Sequence, residues 1–105
     1  ESRVLVLGDM LELGAGAQEM HLALEADIRA IAPDRILFCG PLMQPLAKRV
    51  LPDFKGCAFP DVQALIQDIS YWLKDDDVVL VKSSHGTGLG KLVARLAANA
   101  RARVV

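Results

Sequence analysis

The sequence predicts an α/β domain with three layers, in which helices cover both faces of an open, mainly parallel sheet. Short runs that are apolar on both faces alternate with segments of helical spacing. Strands with two apolar faces are typical of parallel sheets buried between helix layers. The chain has 105 residues, of which 52% are hydrophobic and 24% charged, as expected for one globular domain.

Four short apolar runs are the predicted strands, and each is followed by glycine, proline or serine. They are residues 3–7, 35–39, 56–59 and 77–82. The last residues, 101–105, could form a further edge strand or a frayed end, and the sequence leaves both open.

Four other segments carry apolar residues at the spacing of a helix stripe. The stripes are Met20, Leu24, Ile28 and Ile31; Met43, Leu46, Ala47, Val50 and Leu51; Val62, Leu65, Ile66, Ile69, Trp72 and Leu73; and Leu89, Leu92, Val93 and Leu96. Asp61 is placed to cap the third helix. Because strands and helices alternate, we expect right-handed βαβ units.

Charge and cysteine content exclude several classes of protein. Twelve Lys and Arg residues against 13 Asp and Glu give a net charge of −1, which favours neither nucleic acid nor an anionic membrane as a partner. No apolar run approaches the roughly 18 residues of a membrane-spanning helix. Cys39 and Cys57 stand without a CxxC motif, which predicts no metal site, no disulfide framework and a reduced, cytoplasmic protein.

The first predicted strand leads into a loop that carries two carboxylates, Asp9 and Glu12, with His21 in the helix that follows. Ligands of open α/β sheets bind beyond the carboxyl ends of the strands, so this loop is a candidate site. These side chains could hold a metal, orient an amine or act as acid and base. Alternatively, they cap a helix and pair on its surface, as His21 would with Glu25 at i+4.

The last predicted strand leads into a second polar loop at residues 83–91. Its hydroxyl and cationic groups are Ser83, Ser84, Thr87, Lys82 and Lys91. A phosphate or a carboxylate would fit such a strand-to-helix turn, because backbone N–H groups gather there. The alternative is a tight turn that its glycine residues make possible, with the serines capping the helix. The loop is no P-loop, because His85 stands where that motif needs glycine and Leu92 where it needs a hydroxyl.

Three stretches resemble the carboxy-terminal domain of the Mur ligases that add D-alanyl-D-alanine. The most specific is G-D-M-L-E-L-G at residues 8–14, which follows a strand and precedes His21. The stretch V-L-V-K-S-S at residues 79–84 is similar to the family's V-L-V-K-G-S, with Ser83 in place of glycine. Residues 38–43 resemble a third family stretch, so the resemblance covers essentially the whole chain.

The resemblance implies a Rossmann-like domain of a three-domain, ATP-dependent ligase of peptidoglycan synthesis. Such a ligase phosphorylates the carboxylate of UDP-N-acetylmuramoyl-tripeptide, and the amine of D-Ala-D-Ala then attacks. ATP and Mg²⁺ are the implied cofactors, held by a central domain, while an amino-terminal domain holds the UDP-sugar. From the resemblance we expect those two domains, and the first strand of this domain, to be absent from this chain. We therefore expect it to be inactive alone, with no catalytic residue and no bound cofactor.

The resemblance also implies roles for particular residues. Asp9, Met10 and Glu12 would face the interdomain cleft on the nucleotide side. The carboxylate of the incoming substrate would be received by Lys82, Ser83, Ser84 and His85. His85 stands where the family commonly has arginine, whose bidentate guanidinium is the stronger carboxylate ligand.

Two alternatives remain open, a stand-alone flavodoxin-like module that binds phosphate or a nucleotide, and a Mur-type ligase that adds another amino acid. A separate expectation concerns the pairing of the strands in the sheet. If the family's first strand lies inside it, residues 4–7 are left with an open edge.

Overall fold

The computed structural model describes residues 2–10, 14–74, 76–83 and 101–104. The described strands are β1 (Arg3–Gly8), β2 (Arg35–Cys39), β3 (Gly56–Phe59), β4 (Val78–Lys82) and β5 (Arg101–Val104). The described helices are α1 (Ala17–Leu22), α2 (Leu24–Ile31), α3 (Gln44–Val50) and α4 (Val62–Trp72), with short 3₁₀ turns at Gly14–Gly16 and Pro41–Met43. Among these residues no helix combines the length and apolarity needed to cross a membrane.

The five described strands form one sheet in the order β3-β2-β1-β4-β5, and every neighbouring pair is parallel. This confirms the predicted parallel sheet. Leu5 in β1 lies between Ile36 of β2 and Leu80 of β4, so both edges of β1 are paired and the expected open edge at residues 4–7 is wrong. Of the two possibilities left open for residues 101–105, the described residues 101–104 form the edge strand, since β5 pairs with β4.

Helices cover both faces of the sheet, as predicted. On one face α4 buries Leu65 and Ile69 against apolar side chains of the first four strands, namely Val4, Val6, Leu37, Cys39, Phe59, Val79 and Val81. On the other face α2 and α3 bury a second cluster with Leu5, Leu7, Ile28, Ile36, Phe38, Met43, Leu46, Ala47 and Val50. Because alternate strand residues point to opposite faces, each central strand contributes to both clusters.

The stripes predicted for α3 and α4 are confirmed by their burial. Leu46 and Val50 of α3 are fully buried, and Leu65 and Ile69 of α4 are buried as well. The predicted cap also forms, since Oδ1 of Asp61 accepts a hydrogen bond of 2.9 Å from the N–H of Ala64. The stripe Leu89, Leu92, Val93 and Leu96 lies outside the described residues.

The first predicted stripe is wrong at one position. The segment forms two helices that meet at Ala23, and Met20 is 54% exposed whereas His21 is only 1% exposed. Successive residues on a helix point about 100° apart, so an inward His21 turns Met20 towards solvent. The buried stripe therefore continues from His21, a polar residue, to Ile28.

A buried ion pair joins the amino ends of β2 and β4. Both guanidinium Nη atoms of Arg35 donate to the carboxylate of Asp77, at 2.9 and 2.6 Å. Arg35 also donates to the carbonyl of Trp72, and the N–H of Lys74 donates to Asp77 at 2.7 Å. Burial acts to raise the pKa of Asp77, but these hydrogen bonds and the charge of Arg35 outweigh it and leave the pKa lowered.

Candidate functional site

The strand order defines a switch point between β1 and β4. From β1 the chain adds β2 and β3 on one side, and then returns to place β4 on the other side. In open α/β sheets such a reversal creates the crevice in which ligands bind. The two loops singled out in the sequence leave the sheet here, because Leu7 of β1 pairs with Lys82 of β4.

Asp9, the first residue after β1, is buried and uses its carboxylate as a cap. Oδ2 accepts from the N–H of Leu42 at 3.1 Å, and Oδ1 accepts from the N–H of Met43 at 3.0 Å. These N–H groups belong to the 3₁₀ turn that leads into α3. Of the alternatives left open by the sequence, the capping one describes Asp9, although the capped turn follows β2 and is distant along the chain.

Gly40 provides the space that this cap needs. Its φ of +108° lies in a region that favours glycine, and its α-carbon faces the carboxylate of Asp9. The side-chain amide of Gln44 donates to the carbonyls of Gly40 and Phe59, both at 3.0 Å. The carboxyl ends of β1, β2 and β3 are therefore held together by direct hydrogen bonds.

Cys39 lies beside this cap, and its thiol is unreactive. Burial raises the pKa of its thiol to about 11, and the carboxylates of Asp9 and Asp61 add to the rise. Because the thiolate is the reactive form of cysteine, a protonated Cys39 is neither a nucleophile nor a metal ligand near neutral pH. It packs as a small apolar side chain in the cluster on the α4 face.

His21 contacts the backbone and not the side chain of Glu25 that the sequence offered as its partner. Its Nε2 accepts a 2.8 Å hydrogen bond from the N–H of Met10, and its Nδ1 contacts the carbonyl of Ala17. The i+4 pair with Glu25 does not form, because that carboxylate pairs with Arg29 at 3.0 Å and Arg49 at 3.2 Å. The spacing in the sequence gave no signal for a bond to the backbone of residue 10.

Lys82 ends β4 and is the cationic residue that the structure places at the switch point. Its half-buried side chain lines a groove of about 360 Å³ between α2 and the sheet. The other described lining residues are mainly apolar: Leu5, Leu7, Leu24, Asp27, Ile28, Ala30, Ile31 and Leu80. Ser83 is half-buried as well. Three further predicted site residues, Glu12, Ser84 and His85, lie outside the described residues.

The described part of the site offers a cationic group at the end of β4. Lys82 offers an ammonium group, while the carboxylate of Asp9 is already occupied by two backbone N–H groups. Within residues 2–10, 14–74, 76–83 and 101–104 no three His, Cys, Asp or Glu side chains come together as a metal site would require. A cation at the carboxyl end of a strand is a feature that can attract an anionic ligand.

Comparison with known proteins identifies the class to which this fold and site belong. Residues 1–85 match the family model described as the Mur ligase, glutamate ligase domain. The chain belongs to this family, which confirms the resemblance drawn from its motifs.

The similar curated proteins carry one particular name, UDP-N-acetylmuramoyl-tripeptide--D-alanyl-D-alanine ligase. The Escherichia coli K12 protein is 31% identical over 92% of this chain, and the Bacillus subtilis 168 protein is 31% identical over 90%. The Treponema pallidum Nichols protein is 36% identical over 87%. These alignments cover 20–21% of the relatives, so the chain spans about a fifth of their length.

Proposed function

We propose that this chain is the substrate-closing domain of an ATP-dependent ligase that adds D-Ala-D-Ala to UDP-N-acetylmuramoyl-tripeptide in peptidoglycan synthesis. The names of the three relatives support the choice of substrates. The structural observation that carries the proposal is the position of Lys82, a cation at the switch point that pairs with Leu7 near the end of β1. A dipeptide with a free carboxylate is a ligand that such a cation can hold.

The proposed reaction has two steps. A carboxylate oxygen of the tripeptide attacks the γ-phosphorus of ATP, so that a P–O bond forms and the bond to ADP breaks. The amine of D-Ala-D-Ala then attacks the acyl carbon, so that a C–N bond forms. The C–O bond to phosphate breaks, phosphate leaves with the electron pair of that bond, and the amine nitrogen loses a proton. In our proposal ATP and Mg²⁺ belong to the whole ligase. The described residues do not form a set suited to Mg²⁺, and no step is assigned to the ion here.

In this scheme Lys82 binds the carboxylate of the dipeptide through a charge-assisted hydrogen bond. Holding that end of the dipeptide directs its amine towards the acyl carbon, and such positioning lowers the barrier to attack. We further propose that Ser83, Ser84 and His85 add donors to the same carboxylate. Asp9, Met10 and Glu12 would then lie on the nucleotide side of the cleft.

An assay of the full-length protein that contains this chain tests the proposal. We expect phosphate release and product formation with ATP, UDP-N-acetylmuramoyl-tripeptide and D-Ala-D-Ala, but not when D-glutamate or L-alanine replaces the dipeptide. The isolated chain is the matched control and should release no phosphate, since in our proposal the remaining ligase holds ATP. Ligation of a single amino acid in preference to D-Ala-D-Ala would favour another Mur-type ligase and overturn the proposal.

A further inference from the structure

The imidazole of His21 has both nitrogen atoms in contact with backbone groups, and it is almost completely buried. Nε2 faces the N–H of Met10 at 2.8 Å, and Nδ1 faces the carbonyl oxygen of Ala17. A backbone N–H can only donate, so Nε2 must carry a lone pair. A carbonyl can only accept, so Nδ1 must carry the proton.

Only one of the three states of an imidazole meets both requirements. The Nε2–H tautomer would set two donors against each other at Met10, and the cation would do the same. The hydrogen bond of Met10 therefore depends on a single tautomer of a side chain in the following helix, α1.

The contact lies at the point where the chain leaves β1. Asp9 is held on both sides, since its N–H donates to the carbonyl of Cys39 at 3.2 Å and its carboxylate caps the 3₁₀ turn. Met10 comes next, and its N–H is bound by His21 alone among the described contacts. On the β1 side of the switch point, the backbone at Met10 is therefore held by the imidazole.

We propose that His21, as the neutral Nδ1–H tautomer, is the positioning residue that fixes the backbone of Met10, where the chain leaves β1. The geometric part of this inference stands without the proposed function. Its consequence for ligation rests on that function, because the loop matters to catalysis only if the switch point binds the substrates.

Nuclear magnetic resonance of the ¹⁵N-labelled chain tests the geometry directly. We expect long-range ¹H–¹⁵N correlations that report a protonated Nδ1, and a scalar coupling between the amide nitrogen of Met10 and Nε2 of His21. A ring protonated at Nε2, or the absence of that coupling, would overturn the proposal. Neither result depends on which amino component the ligase uses.

Two variants separate positioning from simple loss of a buried side chain. His21→Gln keeps an acceptor at the place of Nε2, whereas His21→Asn reaches only the place of Nδ1 and has no acceptor at that of Nε2. We expect amide exchange at Met10 to be roughly tenfold faster in the Asn variant and close to that of the parent chain in the Gln variant. Exchange at Val6, in the centre of β1, is the control and should not change. Equal exchange at Met10 in both variants, or equal acceleration at Val6, contradicts the local role.

The full-length ligase supplies the functional test. His21→Asn should lower kcat for ligation of D-Ala-D-Ala, and His21→Gln should restore most of it. If the magnetic resonance results hold and the parent enzyme does not use D-Ala-D-Ala, the positioning role survives and the proposed function fails. If the parent enzyme is active and His21→Asn matches it in kcat, the link from His21 to catalysis is wrong.

Discussion

The carboxylate of Asp9 fills the space beside the α-carbon of Gly40. A Cβ atom built on residue 40 would lie 2.5 Å from Cγ of Asp9 and 2.6–2.7 Å from its two oxygens. The same carboxylate accepts hydrogen bonds from Leu42 and Met43. The residue after β1 and the residue after β2 are thus fitted to each other, and their pairing joins two loops at the candidate site.

Gly40→Ala should destabilise the chain strongly. The φ of +108° alone costs an alanine roughly 1–3 kcal/mol, and the contact with Asp9 adds to it. Gly16→Ala is the matched control, because a Cβ there meets nothing within 4 Å and the φ is −89°. Its free energy of unfolding should stay within about 0.5 kcal/mol of the parent value. Urea unfolding of both variants measures the difference, and equal midpoints would contradict it.

Asp9→Ala should reduce stability by roughly 2–4 kcal/mol, because two N–H groups in a part-buried turn lose their acceptor. Asp9→Asn keeps one acceptor oxygen and should lose less. The comparison is Asp61→Ala, which removes an exposed cap with a single bond to Ala64 and should cost about 1 kcal/mol. Chemical denaturation ranks the three variants. A loss at Asp9 no greater than that at Asp61 would show that the cap is weak.

Acid should weaken the fold through Asp77. Its pKa is lowered in the folded chain, so the unfolded chain takes up the proton first as the pH falls. The ionised carboxylate of Asp77 therefore stabilises the fold at pH values above the ordinary carboxylate range, near pH 4. This stabilisation is lost as the pH falls through the lower pKa of the folded chain. In Asp77→Asn the free energy of unfolding should fall less steeply below about pH 4. Asp76→Asn, at an exposed neighbour whose φ of +68° suits asparagine, should keep the parent slope.

Cys39 should resist thiol reagents in the folded chain. In a Cys57→Ala variant, where Cys39 is the remaining thiol, labelling at pH 8 should be very slow until denaturant is added. The pKa of Cys39 is raised to about 11, so its contribution to stability is present below the ordinary thiol range and is lost as the pH rises towards 11. Rapid labelling of the folded variant at pH 8 would show that the site opens readily.

Lys82→Ala in the full-length ligase should raise KM for D-Ala-D-Ala about tenfold to a hundredfold, because one charge-assisted contact is lost. The KM for ATP should change far less. Lys48→Ala removes an exposed lysine of α3 and serves as the control. A changed KM for ATP with an unchanged KM for the dipeptide would assign Lys82 to the nucleotide instead.

The sequence by itself determined the first four strands, the apolar stripes of α3 and α4 and the cap at Asp61, for a local reason. Apolar periodicity and capping depend on residues within one or two turns of each other. These features lie within the described part of the chain, and there they match the structure. The motif at residues 8–14 also identified the family, because a contiguous run of residues can be compared without knowledge of the fold.

Only the tertiary structure decided which groups Asp9 and His21 bind and which strand Lys82 lies beside. Asp9 caps a turn that follows a different strand, and His21 reaches back from α1 to the backbone of Met10. The order of the strands places Lys82 beside β1, whereas along the chain β2, β3 and all four described helices lie between them. The apolar periodicity of the sequence does not predict such contacts, because hydrogen bonds and strand pairing between distant segments form only when the sheet is assembled.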